Sequence, residues 1–187
     1  MTAKVAVIVG SLRKDSVNRL FAQALAKLAR PRLDLQIVEI VDLPLYNQDM
    51  EGDLPAAVIR FKQQIESADA VLFVTPEFNR SFSAALKNAI EWGSRPWGKN
   101  SWAGKPGAII GVAPGALGAA AAQSQLRSVA AVLGVAVMAQ PEVYLNYREG
   151  QIVGGEIAEE GLRTLATDWV AKFAEWIGRL KAPALNF

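Results

Sequence analysis

The sequence predicts a doubly wound α/β fold, a three-layer sandwich in which helices cover both faces of a five-stranded parallel sheet. Three observations lead there. Five short apolar runs lack the alternation of half-solvated strands, segments with helical spacing separate them, and polar or glycine-rich loops follow the first, third and fourth runs. Strands that are apolar throughout need cover on both faces, and right-handed crossovers lay the intervening helices there.

The elements follow in order. Val5 to Val9 is the first strand, and Val17, Leu20, Phe21, Ala24, Leu25 and Leu28 recur at helical spacing until Pro31 stops them. Leu35 to Ile40 is the second strand. A loop with Pro44 and Pro55 leads to a helix whose apolar face is Val58, Phe61, Ile65 and Ala68. Ala70 to Val74 is the third strand, Ser83 to Trp92 a helix, Gly107 to Val112 the fourth strand, Ala119 to Leu133 an Ala-rich helix, and Val135 to Met138 the fifth strand. Leu162, Leu165, Trp169, Phe173, Trp176 and Leu180 mark a final amphipathic helix, with a loose tail over about 181–187.

Composition narrows the function. The 187 residues suit one domain over 1–187, and the run after the first Lys is too short for a membrane span or a secretory signal, so a cytoplasmic protein is expected. A net charge of +2 from 20 basic and 18 acidic residues, with no basic cluster, gives no footprint for nucleic acid or a membrane surface. The chain has neither Cys nor His, which removes disulfides, thiol nucleophiles, imidazole or thiolate metal sites and the commonest proton-transfer side chain. A hydrolase with a Ser–His pair is excluded with them. Chemistry, if present, then falls to a bound organic cofactor.

In a doubly wound sheet, ligands bind beyond the carboxyl ends of the strands where the strand order reverses. The first such loop, "GSLRKDSVN" from Gly10 to Asn18, has neither dinucleotide nor nucleoside-triphosphate glycine patterns, although Glu39 at the end of the second strand would suit a ribose. An acidic cluster of the phosphorylation-receiver type is also absent, because Gly10 and Ser11 stand at that point. The loop instead offers Ser11, Ser16 and Asn18 as neutral donors, Arg13 as a cation, and the free N–H groups of a helix beginning at Val17. That set fits a phosphomonoester, whereas helix capping by Ser16 and a solvated Arg13 would account for the same residues without a ligand. After the third strand, "TPEFN" from Thr75 to Asn79 puts backbone amides and the Asn79 amide where a flat polar ring edge could meet them.

Together "GSLRKDSVN", "LPLYNQDME", "TPEFNRSFSAALKNAIEWGSRP" and "GVAPGALGAAAAQSQLR" resemble the NADPH-dependent FMN reductase family, a flavodoxin-like group that includes quinone, azo-dye and chromate reductases. The resemblance runs from about Lys4 to about Tyr144. It implies a bound FMN whose phosphate is held by Ser11, Arg13, Ser16, Val17 and Asn18. It further implies that Pro76, Glu77, Phe78 and Asn79 line the isoalloxazine and that Ala113, Pro114, Gly115, Ala116 and Leu117 flank it, Gly115 and Gly118 permitting close approach. NADPH or NADH would then reduce the flavin, and a small-molecule acceptor would take the electrons, with no protein acid or base required.

Arg95, in "WGSRP", is read as the cation that recruits an anionic group of NAD(P)H or of the acceptor, with Phe78 as the second substrate-facing residue; an ion pair at a subunit contact is the competing role for Arg95. Trp92, Trp97 and Trp102 crowd the same segment, as exposed aromatics beside a cleft would. The resemblance implies a homodimer, with a homotetramer left open because Ala121 and Ser124 replace the Arg and Tyr frequent in relatives. Two further departures are Phe78 for the usual Tyr and Ser83–Ala84 for the usual Pro–Gly. A flavodoxin-like electron carrier and a flavin-binding regulatory protein are the alternatives; the balanced charge argues against a carrier, which needs a steering field.

Overall fold

The computed structural model describes residues 2–181. In chain order these form β1 (Ala3–Val9), α1 (Val17–Ala29), β2 (Leu33–Val38), α2 (Ala56–Glu66), β3 (Ala70–Thr75), α3 (Ala84–Ser94) and β4 (Pro106–Ala113). There follow α4 (Ala120–Val132), β5 (Ala136–Val137), β6 (Val143–Asn146), β7 (Ile152–Val153), β8 (Glu156–Ile157) and α5 (Glu160–Lys181). The main sheet runs β2-β1-β3-β4-β5 with all pairs parallel, as the apolar runs predict.

Alternate residues of the strands feed two cores. Val5, Val7, Leu72 and Ile110 pack against Phe21 of α1 and Trp169 and Phe173 of α5. Ile8, Phe73 and Ile109 face the other way, toward Phe61 of α2 and Trp92 of α3, with Trp102 from the loop that follows. No helix among the described residues is long and apolar enough to cross a membrane.

The structure departs from the sequence reading in several places. The fifth strand is split: β5 pairs with Pro106 and Gly107, and the ladder beside β4 resumes only at β6, against Ile110 to Ala113. Pro141 lacks the N–H a ladder needs, and Arg127 of α4 donates to the Met138 carbonyl at 3.1 Å in the interruption. The second strand begins and ends two residues earlier than expected, and Ala68 lies beyond α2. On α5, small Ala166 and Val170 join the buried face, while Leu165 at its edge and Leu180 in the last turn are exposed. Lys181 is helical and pairs with Asp69, so the tail does not begin there; the rest of it, 182–187, lies outside the described residues.

Trp92 and Trp102 are not cleft aromatics. Both are fully buried, with their indole N–H groups on the Pro44 carbonyl (2.7 Å) and the Ile90 carbonyl (3.1 Å). The Trp102 ring lies so close to Gly93 that a Cβ there would come within 2.4 Å of it. Only Trp97 of the three is exposed, at 88%.

Candidate functional site

The strand order reverses between β1 and β3, so a crevice opens beyond their carboxyl ends. Three loops meet there, and hydrogen bonds tie each to its neighbours. Gly10 continues the ladder by donating to Val74 O at 2.8 Å, and the Ser83 hydroxyl donates to Gly10 O while accepting from Leu86 N–H at 3.1 Å. Ser83 thus caps α3 and fastens the first loop to it. From α1, the Asn18 side chain crosses to β4 and donates to Val112 O at 3.0 Å.

The first loop keeps the residues proposed for an anion together. Ser11, Ser16 and Asn18 are buried and Arg13 is exposed. Ser16 caps α1 by accepting from Arg19 N–H at 3.2 Å, and its hydroxyl proton remains free to donate. The N–H groups of Val17 and Asn18, in the first turn, have no intrahelical acceptor. No ion pair among the described residues engages Arg13. Asn18 is partly spent on Val112, and its buried Oδ1 has no hydrogen-bond partner.

Glu39 is not free for a ribose. Arg19 grips it with two hydrogen bonds of 2.8 and 2.7 Å, which hold the Glu39 carboxyl below its ordinary range and the Arg19 guanidinium above its own.

The third loop is a tight hairpin. Phe78 and Ser81 exchange N–H···O bonds of 2.9 Å, and Asn79 (φ 50°) and Arg80 (φ 66°) fill the two left-handed positions between them. Pro76 is buried, Glu77 half-buried, and Phe78 and Asn79 exposed. The Glu77 carboxylate has a task the sequence did not reveal. Its Oε2 accepts from Ala121 N–H (3.0 Å) and Ala122 N–H (3.2 Å), capping α4, whose own N-cap residue is Ala119 and offers no acceptor. Gln125 of α4 completes the brace, donating to Arg80 O and accepting from Ser81 Oγ, both at 2.7 Å. We expect Glu77→Ala to cost about 1 kcal/mol, a fall in Tm of roughly 2 to 4 °C by thermal melting; an unchanged Tm would mean the cap is dispensable.

The fourth loop turns at Ala113 to Ala119. Asn146, at the end of β6, donates to Pro114 O (2.8 Å) and Gly115 O (2.9 Å) and so sets the loop's height. The two glycines differ. Gly118 has φ +53°, and a Cβ there would stand 2.3 Å from the Tyr144 carbonyl carbon, whereas Gly115 faces open space and is not a point of close approach within this chain. Glu77, Arg80 and the backbone from Ala113 to Ala119 line a cavity of about 320 Å³.

Arg95 is not brought to this cavity. It is the C-cap of α3, at the opposite end of that 11-residue helix from Ser83, about 16 Å along the axis. There its guanidinium stacks on exposed Trp97, 5.8 Å from the ring centroid. The "LPLYN" loop is pinned along the same helix: Asn88 accepts from Tyr46 N–H (2.8 Å) and donates to Pro44 O (2.9 Å), and Tyr46 packs edge-on against Trp92.

Ser83, Gln125 and Asn146 brace the loops of the candidate site and were missed by the sequence reading, as was the place of Arg80 in the cavity lining. Ser83 carried a legible cue as a Ser before an apolar helix. Gln125 and Asn146 did not, because their partners are distant in the chain.

Comparison with known proteins gives the family of the chain. Residues 3–150 match the NADPH-dependent FMN reductase family. The chain is 49% identical to a 2-hydroxy-1,4-benzoquinone reductase of Burkholderia sp, over 95% of this chain and 97% of that protein. It is 46% identical to a quinone reductase of Pseudomonas putida, over 92% and 94%. Among solved structures, the flavoenzyme NAD(P)H:(acceptor) oxidoreductase FerB from Paracoccus denitrificans superposes with a TM-score of 0.92 at 44% identity, covering 95% of this chain and 98% of that one.

Proposed function

The chain belongs to the NADPH-dependent FMN reductase family, and we propose on that premise that it binds FMN in the crevice between β1 and β3 and reduces quinones with NAD(P)H. The observation that carries the reading is the first loop. It supplies two hydroxyls, one guanidinium and the first N–H groups of α1, the donors a phosphate dianion needs, while Asp15, the one carboxylate of the loop, is exposed.

The residues present fit FMN. Ser11, Ser16, Arg13 and the Val17 and Asn18 N–H groups would hold the phosphate. The orphaned Asn18 Oδ1 is an acceptor, so it suits a hydroxyl donor such as the ribityl chain rather than the phosphate itself. When bound, FMN supplies the redox chemistry, taking a hydride from NAD(P)H and passing two electrons to an acceptor. The protein's own share is geometric. Pro76, Glu77, Phe78 and Asn79 bound one side of the ring site, and Ala113, Pro114, Gly115, Ala116 and Leu117 bound the other. The Glu77 and Gln125 braces fix the separation of the two loops, so the ring site is set before ligand arrives. Such preorganisation lowers the cost of binding.

A homodimer completes the reading. Arg95 and Trp97 lie at and beyond the C-terminal end of α3 and do not line the same chain's cavity, so Arg95 would meet a substrate across a subunit interface, where exposed Trp97 and Leu45 would also be covered. The acceptor is a small molecule of the quinone class, and the protein is cytoplasmic with no nucleic-acid or membrane partner. Purified protein with saturating FMN should consume NADH or NADPH in the presence of a benzoquinone; absence of that activity with either donor would refute the proposal.

A further inference from the structure

The cavity between the third and fourth loops has one cation in its lining, Arg80, and the fold holds that cation only by a long contact. Its side chain is 73% exposed, and its nearest carboxylate oxygen, Glu77 Oε1, is 3.9 Å away, beyond hydrogen-bond reach. The other Glu77 oxygen is committed to the N-terminus of α4. The backbone, by contrast, is strictly placed. A long side chain sits at φ 66°, a conformation that costs energy for any residue but glycine, and Gln125 locks the turn from both Arg80 O and Ser81 Oγ. An exposed guanidinium whose one ion pair among the described residues is the 3.9 Å contact with Glu77, on a strained and braced turn at a ligand cavity, is an arrangement for meeting a ligand.

We infer that Arg80 draws an anionic oxygen group of the flavin's reaction partner into the cavity, either a phosphate of NAD(P)H or the enolate of an acidic hydroxyquinone. The inference rests on the flavin reading above and assigns to Arg80, within one chain, the recruiting role that the sequence suggests for Arg95. A guanidinium offers several donors in a plane and stays charged at all working pH values, so it suits both oxygen classes. Because Arg80 is solvent-exposed, its effect is a screened attraction that acts on capture rather than on the hydride or electron transfer itself.

Steady-state kinetics of the FMN-loaded enzyme test this with Arg80→Gln, Arg80→Gly and Arg80→Lys. Glycine relieves the positive φ, so a shared effect of the first two variants comes from lost charge and not from a disturbed turn. At low salt we expect Gln and Gly to raise KM for an anionic reactant about three- to fivefold, with kcat on uncharged menadione and FMN content unchanged, and Lys to restore most of it. The difference should vanish near about 0.5 M salt. A rise for NADPH and NADH alone assigns the donor phosphates; a rise for 2-hydroxy-1,4-benzoquinone alone assigns the acceptor. Unaltered KM for donors and acidic quinone alike, in protein that still binds FMN and turns over menadione, overturns the role of Arg80 and leaves the flavin reading standing. A wild-type protein that fails to bind FMN fails at the earlier step.

Discussion

Replacing Arg13 with glutamine should weaken FMN binding by about 10- to 100-fold and leave the apo-protein's thermal stability unchanged. The magnitude follows from the roughly 1.5 to 3 kcal/mol that a hydrogen bond to a charged group contributes, at 1.4 kcal/mol per tenfold. Stability is spared because Arg13 is exposed and forms no ion pair among the described residues. Titration of apo-protein with FMN, followed by quenching of flavin fluorescence, reads the dissociation constant. An unchanged constant would mean that the phosphate lies elsewhere and that the first loop only caps α1.

The second large effect is on stability. Gly118→Ala should lower Tm by roughly 6 to 12 °C, the consequence of about 3 kcal/mol of overpacking and backbone strain in a chain of this size. A Cβ at Gly118 would meet backbone, the Tyr144 carbonyl carbon at 2.3 Å and its oxygen at 2.5 Å, and the positive φ adds to the cost. Neither β6 nor the fourth loop can move away cheaply, because Asn146 and the β4–β6 ladder join them. Gly115→Ala is the internal control. Open space surrounds that position, so its melting curve should overlay the wild type. Equal Tm values for the two variants would contradict the close approach at Gly118.

The difference between these glycines also shows where the sequence stops being informative. Both stand in "APGALG", both invite the same reading, and only the fold reveals that one faces Tyr144 and the other solvent. The strands and helices were legible because buried parallel strands are apolar throughout and helical faces repeat at 3.6 residues. The split fifth strand was legible only in part: Pro141 marks the break, but nothing local says that the ladder resumes at Val143. The phosphate loop was legible because its donors are contiguous. The capping of α4 by the Glu77 carboxylate was not legible, since the helix end that it caps is 44 residues away in the chain. That Arg95 stands at the opposite end of α3 from Ser83 was not legible for a similar reason, as 11 helical residues separate them only once the chain is folded. The aromatic cluster after it divides into two core tryptophans and one exposed one by tertiary packing alone.

The bracing of the site has a consequence for binding. Ser83 to Gly10, Asn18 to Val112, Glu77 to α4 and Gln125 to the hairpin join three loops that contribute to one crevice. Loops held in this way lose little conformational entropy when a ligand arrives, so more of each polar contact remains as affinity. Phe78, Asn79 and Arg80 are the exposed residues of the braced hairpin.

The most direct test of the central claim is the visible absorption spectrum of the FMN-loaded protein under anaerobic conditions, before and after NADPH or NADH and then after a benzoquinone. The account predicts a protein-bound flavin band that bleaches on addition of the nicotinamide and returns on addition of the quinone. A flavin that stays oxidised with both donors, or protein that passes through a desalting column without flavin, would contradict it.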